Sequence, residues 1–241
     1  MRHGSGWQRH FVYRKESLRT TWALRLGIFV VVILIASLAR GFWIPSLGRS
    51  LVCTKEVGRS DVILVENFDP PNYPLFERAA ALQEAGLSAR VLIPTLDSQS
   101  GSEVVNPVSR GIAELMANLA RLQNPEIISI RKIEPISLNA AYQIRDFLTK
   151  KHLRSVIVVT PVLRSRRSSL VHRAVLTPAG IQVYCMPVPG LQGLENWTHT
   201  WHGVQHVAEE FIKLQFYRFY VLPLSAPGRA SGPWRFGLAW P

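Results

Sequence analysis

The feature that most limits the fold is a regular alternation of short apolar runs with helix-like segments. The apolar runs, rich in β-branched residues, cover 61–66, 89–94, 126–130, 155–160 and 181–186. Segments with helical character separate or follow them, at 75–86, 106–122, 137–152, 166–176 and 199–219. Because the runs are apolar at successive positions, both of their faces are expected to be buried. The pattern predicts an α/β fold, a Rossmann-like three-layer arrangement with helices on both faces of a parallel sheet.

Several helix ends carry recognisable signals. Gly86 follows the first predicted helix, at the position where glycine commonly adopts a left-handed conformation. Asn106 and Pro107 are suited to the N-cap and first position of the second helix. Ser137 is the expected N-cap of the third helix.

An apolar segment near the N-terminus predicts a membrane anchor. Residues 26–39 carry no charge, and basic residues dominate the preceding stretch. We expect a basic cytoplasmic head over 1–21 and one transmembrane helix over 22–44. By the positive-inside rule the N-terminus is cytoplasmic, and the chain is a single-pass protein of the inner (plasma) membrane with a periplasmic or extracytoplasmic domain. The alternative is a cleaved signal peptide, for which Ser37-Leu38-Ala39 is an acceptable site.

Two further regions complete the predicted organisation. Residues 45–220 form the Rossmann-like α/β domain, and 221–241 form a tail rich in proline and glycine. The net charge of the 241 residues is +12. Much of this excess lies in the head and tail, so the domain itself is only mildly basic. This distribution argues against a nucleic acid as the partner.

The cysteines and histidines give weaker signals. Cys53 and Cys185 are the two cysteines of the sequence, too few for a disulfide framework or a cysteine-rich metal site. They could form one bridge in an oxidising compartment, but buried free thiols are the commoner outcome. His199, His202 and His206 recur at helical spacing, and neighbouring tryptophans favour a packing face. No metal site is predicted.

Charged and polar residues follow two of the predicted strands. Thr160 ends the strongest strand, and Arg164, Arg166 and Arg167 come directly after it. Guanidinium groups beside the N–H groups of a helix start would form an anion site. Glu66, Asn67 and Asp69 follow the first strand and belong to the same predicted edge, because ligands of such sheets bind beyond the carboxyl ends of the strands.

Four stretches of the chain resemble the YdcF/SanA/ElyC-like family of bacterial envelope proteins. They are residues 47–66, 76–86, 155–189 and 209–220. Thr160 and Arg167 match the family's strand-end motif, whereas Pro161 and Arg164 replace its usual serine and histidine. Asn139, with Ala140, resembles the family's Asn-Ala motif. The sequence NFDPPNYP at 67–74 stands where the family often has a glycine-rich turn.

The resemblance implies a role in the cell envelope, in peptidoglycan or lipid-carrier metabolism. We hypothesise that the domain binds a phosphorylated or pyrophosphorylated envelope precursor at the carboxyl edge of its sheet. The expected partners are the lipid bilayer and an anionic lipid-linked precursor. Alternatives are a non-catalytic binding or assembly factor and a module for a nucleotide-like cofactor; the reaction, if any, and the cofactor stay open. On the first hypothesis, Arg167→Ala removes activity without unfolding the domain.

Overall fold

The computed structural model describes residues 22–55, 58–67, 72–97, 107–190 and 194–225. The chain divides between Ile44 and Pro45 into two compact units. Asp69, Asn106 and the part of the predicted tail beyond residue 225 lie outside the described residues.

The N-terminal apolar segment forms two helices, α1 (Trp22–Leu38) and α2 (Arg40–Ser50). The single helix predicted over 22–44 is therefore wrong, because the chain breaks at Ala39. At the break the Phe42 N–H donates to the Ala39 carbonyl at 2.9 Å, three residues back instead of four, so the α-helical pairing is interrupted there. Among the described residues, no single helix has the length and hydropathy to cross a membrane. Segments Leu24–Ile35 and Arg40–Ser50 meet that test only as a pair, with a bend of 72° between them.

The second unit is built on a five-stranded sheet in which all neighbouring strands are parallel, in the order β3-β2-β1-β4-β5. The strands are β1 (Val62–Val65), β2 (Val91–Asp97), β3 (Pro125–Arg131), β4 (Ser155–Pro161) and β5 (Gln182–Val188). The predicted α/β class and parallel sheet are confirmed. The first strand in the sequence lies at the centre, and the chain builds outward from it, first to one side and then to the other.

Helices connect the strands and close the unit. They are α3 (Tyr73–Glu84), α4 (Pro107–Leu119), α5 (Ile136–Lys150), α6 (Ser165–Leu176) and α7 (Trp201–Phe216). A π-helical stretch, Tyr217–Val221, and the short α8 (Leu222–Leu224) continue α7. The predicted last helix over 199–219 thus begins later and changes its winding at its end.

Two hydrophobic cores cover the two faces of the sheet, as three layers require. Val62 and Leu64 of β1 face the core that contains α5, α6 and Tyr217. Ile63 and Val65 of the same strand face the other core, which contains Phe76 and the helices α3 and α4. Alternate residues of a strand point to opposite faces, so a strand buried on both sides is apolar throughout.

The helix ends match some of the sequence signals. Gly86 follows α3 with φ of 71°, as predicted. Ser137 is not the N-cap of α5: that position is Pro135, and Ser137 lies inside the first turn. The hydroxyl of Thr200 caps α7 by accepting a hydrogen bond from the Gly203 N–H at 3.1 Å.

A disulfide bond joins Cys53, in the segment before β1, to Cys185 of β5. The sequence leaves open whether these two cysteines pair; in the structure they do, and both are buried. The segment is held against the start of α6, because the Cys53 N–H donates to Ser165 Oγ at 3.0 Å. That placement, which depends on residues far apart in sequence, brings the two sulfurs together.

Candidate functional site

The sheet has one topological switch point, between β1 and β4. The connections from β1 lead to one side of the sheet through β2, and the later strands are added on the other side. In open parallel sheets a crevice forms at such a place, outside the carboxyl ends of the two strands. The residues that follow β1 and those that end β4 therefore line the expected ligand position.

Glu66 and Thr160 lie next to each other at this crevice. Val65 is in register with Val159, and the Glu66 N–H continues the pairing by donating to the Val159 carbonyl at 3.0 Å. Neighbouring strands lie about 4.8 Å apart, so the backbones of the two residues are close. Both residues are buried, Glu66 with 2% and Thr160 with 0% of its surface exposed.

Three buried oxygen atoms at this edge have no hydrogen-bond partner among the described residues. They are Glu66 Oε2, Asn67 Oδ1 and Thr160 Oγ1. Buried polar groups are nearly always hydrogen-bonded, and leaving one unbonded costs about 1–3 kcal/mol. The carboxylate and amide oxygens can only accept, and the hydroxyl can accept or donate. The edge is therefore suited to a group that offers hydrogen-bond donors, such as a sugar hydroxyl.

The guanidinium group of Arg167 is hydrogen-bonded to two other side chains of the protein. Its Nε and Nη2 donate to Glu210 of α7 at 2.9–3.1 Å, and Nη1 donates to Ser137 Oγ at 2.7 Å. The guanidinium also lies 5.6 Å from the centre of the Tyr217 ring. Arg167 and Glu210 are both almost fully buried. This geometry ties α6 to α5 and α7.

Arg164 shares the same carboxylate. Its Nε lies 3.5 Å from Glu210 Oε1, and 14% of its side chain is exposed. Two arginines thus face one glutamate just beyond β4. This partly explains why several arginines follow a buried strand. Arg167 pairs with a buried carboxylate, and Arg164 contacts the same carboxylate.

The start of α6 is already covered by the chain itself. The Arg166 N–H donates to the Leu51 carbonyl at 2.8 Å, and the Ser165 N–H bonds the Val162 carbonyl. These two N–H groups are therefore not open to an anion, contrary to the reasoning that combined them with the arginines. The side chain of Arg166 lines a cavity beside Cys53.

Asn139 holds the loop that leads into α5. Its Nδ2 donates to the carbonyls of Ile133 and Pro135 at 3.2 and 3.3 Å. Of the residues singled out in sequence, the structure thus brings Glu66, Asn67 and Thr160 to one edge. Arg164 and Arg167 share Glu210, and Asn139 and Arg166 make other contacts.

Two residues were missed by sequence reasoning. Glu210 is one of two adjacent glutamates in α7, and nothing local marks it as the partner of Arg167, which is 43 residues away. His172 of α6 is 2% exposed, and its Nδ1 lies 2.9 Å from the Ser168 carbonyl. A carbonyl only accepts, so Nδ1 carries a hydrogen, and Nε2 has no partner among the described residues.

Comparisons with known proteins identify no family. No protein-family model and no curated protein sequence matches the chain. A solved structure of a universal stress protein in complex with cAMP is similar at 10% identity, over 54% of this chain and 99% of that one, with a TM-score of 0.37. A protein from the universal stress protein family from Burkholderia pseudomallei is similar at 11% identity, over 55% and 100%, with a TM-score of 0.33. These values support no inference about ligand or activity.

Proposed function

We propose that this chain is a membrane-anchored protein of the cell envelope, similar to the YdcF/SanA/ElyC-like family. On this proposal its α/β domain lies outside the cytoplasm and binds a phosphorylated or pyrophosphorylated envelope precursor at the carboxyl edge of its sheet. The observation that carries the proposal is the group of buried oxygens on Glu66, Asn67 and Thr160 that lack partners among the described residues.

The chemistry of these oxygens favours the sugar part of such a precursor. A sugar offers several hydroxyl donors in a small volume, and a buried carboxyl beside a threonine hydroxyl matches two of them. Arg164 lies beyond the same strand, where its Nε is 3.5 Å from Glu210 Oε1.

The disulfide supports a location outside the cytoplasm. Disulfide bonds persist in oxidising compartments and are rare in the cytosol, where thiols are kept reduced. The Cys53–Cys185 bond therefore agrees with the orientation that the basic head suggests. It also argues against a cytoplasmic nucleotide-binding module, although a ribose would offer similar donors.

The exposed surface of α1 supports the anchor. Between Leu26 and Ile35 all of its residues are uncharged and apolar, and Ile28, Phe29 and Val30 are each more than half exposed. A helix that is hydrophobic all round requires an apolar environment, which a bilayer supplies. On this proposal the anchor consists of two helical segments, Leu24–Ile35 and Arg40–Ser50, with a bend of 72° between them.

Binding without catalysis is the second candidate. Ser168 and His172 form a serine–histidine contact at 3.3 Å, but both are buried within one turn of α6. Glu66 and Thr160 lie side by side at the edge of the sheet, but no hydrogen bond joins their side chains, because Thr160 Oγ1 has no partner among the described residues. A binding or assembly factor needs only hydrogen bonds between the ligand and the oxygens at this edge. Product analysis must therefore accompany any binding result, because it distinguishes an enzyme from a binding protein.

The test is a ligand panel on the full-length protein in a neutral detergent, followed by thermal melts. The panel holds polyprenyl-phosphate sugars, free sugar phosphates, pyrophosphate, nucleotides, S-adenosylmethionine and zinc. A ligand at 100 times its Kd adds about 2.7 kcal/mol, or roughly 5–10 °C for a protein of this size. We expect a lipid-linked sugar to stabilise the wild type but not Glu66→Gln. Equal shifts in both proteins, or shifts only with nucleotides, would refute the proposal.

A further inference from the structure

Glu66 carries a buried carboxylate that is not paired with a positive charge among the described residues. The residue is 2% exposed, and its Oε2 has no hydrogen-bond partner. No lysine or arginine of the described part of the chain forms an ion pair with it. Burial of an unpaired charge is costly, and a hydroxyl donor would satisfy a lone pair without compensating the charge. A bound cation would do both.

The side chain of Thr160 lies on the same face of the sheet as this carboxylate. Leu64 of β1 and Val158 of β4 are in register and belong to one hydrophobic core. Alternate residues of a strand point to the same face, so Thr160, two residues after Val158, points to that face. Glu66 continues the alternation of β1, because its N–H donates to the Val159 carbonyl at 3.0 Å. The carboxylate and the hydroxyl therefore project from neighbouring positions.

The oxygens at this edge that lack partners form a ligand set for a hard cation. Glu66 supplies a carboxylate, Asn67 directly after it supplies an amide carbonyl, and Thr160 supplies a hydroxyl. Mg²⁺ takes oxygen ligands, and it commonly binds through one or two carboxylates while it keeps waters or substrate phosphates. Among the residues that the structure describes, no three histidine, cysteine or acidic side chains come together as metal ligands. A cation here would therefore depend on neutral oxygens beside one carboxylate.

We infer that the carboxyl edge between β1 and β4 binds a divalent cation of the Mg²⁺ type through Glu66, Asn67 and Thr160. Three protein oxygens leave about three positions of an octahedral ion for other ligands. A phosphate without protons offers no donor to oxygens that only accept, whereas it can coordinate the cation. This role of the cation, as a bridge to the phosphate of the precursor, rests on the proposed function. Cation binding by itself does not.

The experiment is a titration of the full-length protein in a neutral detergent with Mn²⁺, followed by electron paramagnetic resonance. Mn²⁺ accepts the same oxygen ligands as Mg²⁺, and its resonance signal distinguishes the free ion from the bound ion. The protein is first treated with EDTA, the chelator is removed, and Mg²⁺ is added at the end as a competitor. We expect saturable binding of Mn²⁺ that Mg²⁺ reverses, and a melting temperature that rises with the concentration of either ion.

Two substitutions remove a ligand without breaking a hydrogen bond to the described residues. Glu66→Gln removes the charge, and Thr160→Val removes the hydroxyl. The loss of even an outer partner of a metal site lowers affinity about 10–100-fold, so each variant should raise the Kd for Mn²⁺ at least about tenfold. Thr160→Ser keeps the oxygen and should keep the affinity.

Matched controls remove the same groups from other places. Thr95→Val removes a buried hydroxyl that already donates to the Ile128 carbonyl, and Glu84→Gln removes an exposed carboxylate at the end of α3. Neither change should alter the Kd for Mn²⁺. Melts in EDTA show whether each variant is folded, since a variant that only damages the fold loses stability there as well.

The outcomes separate the cation from the proposed precursor. The inference is overturned if the EDTA-treated wild type binds no Mn²⁺, or if either Glu66→Gln or Thr160→Val binds it as tightly as the wild type. A lipid-linked sugar that stabilises the wild type equally with and without Mg²⁺ would overturn the bridging role and leave the proposed function standing. Cation binding without any shift by lipid-linked sugars would support the inference and refute the proposed function.

Discussion

At the scale of single residues, two buried threonines form a matched pair. Thr160 Oγ1 has no partner among the described residues, whereas Thr95 Oγ1 donates to the Ile128 carbonyl at 3.3 Å. Both residues are almost fully buried in strands. A hydroxyl kept in such a place without a partner lowers the stability of the ligand-free protein. A ligand that forms a hydrogen bond with this hydroxyl would offset that loss of stability.

We therefore expect Thr160→Val and Thr95→Val to shift stability in opposite directions. Valine has nearly the shape of threonine, so the first change removes an unbonded hydroxyl and should stabilise by about 1 kcal/mol. The second removes a hydrogen bond and should destabilise by about 1 kcal/mol. Thermal melts without ligand measure both. Destabilisation by Thr160→Val would mean that its hydroxyl has a partner in the protein.

The pair formed by Arg167 and Glu210 leads to a different expectation from the sequence. From the sequence alone, Arg167 is predicted to contact a ligand, and its loss is predicted to leave the domain folded. Since its guanidinium makes three hydrogen bonds to the buried carboxylate, Arg167→Met leaves that charge poorly compensated. We expect a loss of about 3–5 kcal/mol.

A double-variant cycle tests this role. Arg167→Met with Glu210→Leu removes both charges, so most of the lost stability should return. Arg110→Met, at an exposed arginine paired with Glu114, should change stability by less than about 0.5 kcal/mol. If the two losses simply add, the side chains are not coupled and Arg167 is free for a ligand.

At the scale of elements, the approach of α7 to the short helix Trp197–His199 depends on a glycine. A Cβ at Gly203 would overlap the backbone carbonyl of Trp197. Backbone cannot move aside as a flexible side chain can, so Gly203→Ala should destabilise by about 1–3 kcal/mol. Gly111 of α4 has nothing within 4 Å of the same position. Gly111→Ala should therefore stabilise by about 0.5–1 kcal/mol, and chemical or thermal unfolding compares the two. Equal effects would contradict this packing.

The disulfide fixes the segment before β1 to the edge strand β5, across 132 residues of sequence. Closing so long a loop restricts the unfolded chain, and its removal in Cys53→Ser with Cys185→Ser should cost about 2–5 kcal/mol. Melts with and without reductant measure the effect. The double variant serves as the control because it should not respond to reductant. An unchanged melt of the reduced wild type would show that the bond contributes nothing.

The elements themselves were predictable, whereas their long-range contacts were not. Apolar runs such as 155–160 follow from local composition, and Gly86 ends its helix for a local reason. The strand order, the pairing of Cys53 with Cys185 and the bond from Arg167 to Glu210 depend on residues far apart in sequence. Glu66, Asn67 and Thr160 could be predicted because the carboxyl edge of a parallel sheet follows from the fold class alone.

At the scale of the whole molecule, the proposed orientation can be tested directly. Alkaline phosphatase joined to the C-terminus should be active, and a fluorescent protein joined there should be dark, if the domain is outside the cytoplasm. An N-terminal tag tells the anchor from a cleaved signal peptide, because cleavage separates the tag from the domain. A bright fluorescent fusion would place the domain in the cytoplasm and leave its disulfide unexplained.

The bond between Cys53 and Cys185 also has a consequence for synthesis. Cys53 emerges from the ribosome 132 residues before its partner. At about 5–20 residues per second, it remains an unpaired thiol for roughly 7–26 seconds. These 241 residues contain two cysteines, so no scrambled isomer can form within them. The competing product is a dimer of two nascent chains linked through Cys53. The yield of monomer should therefore rise when fewer chains are synthesised at the same time.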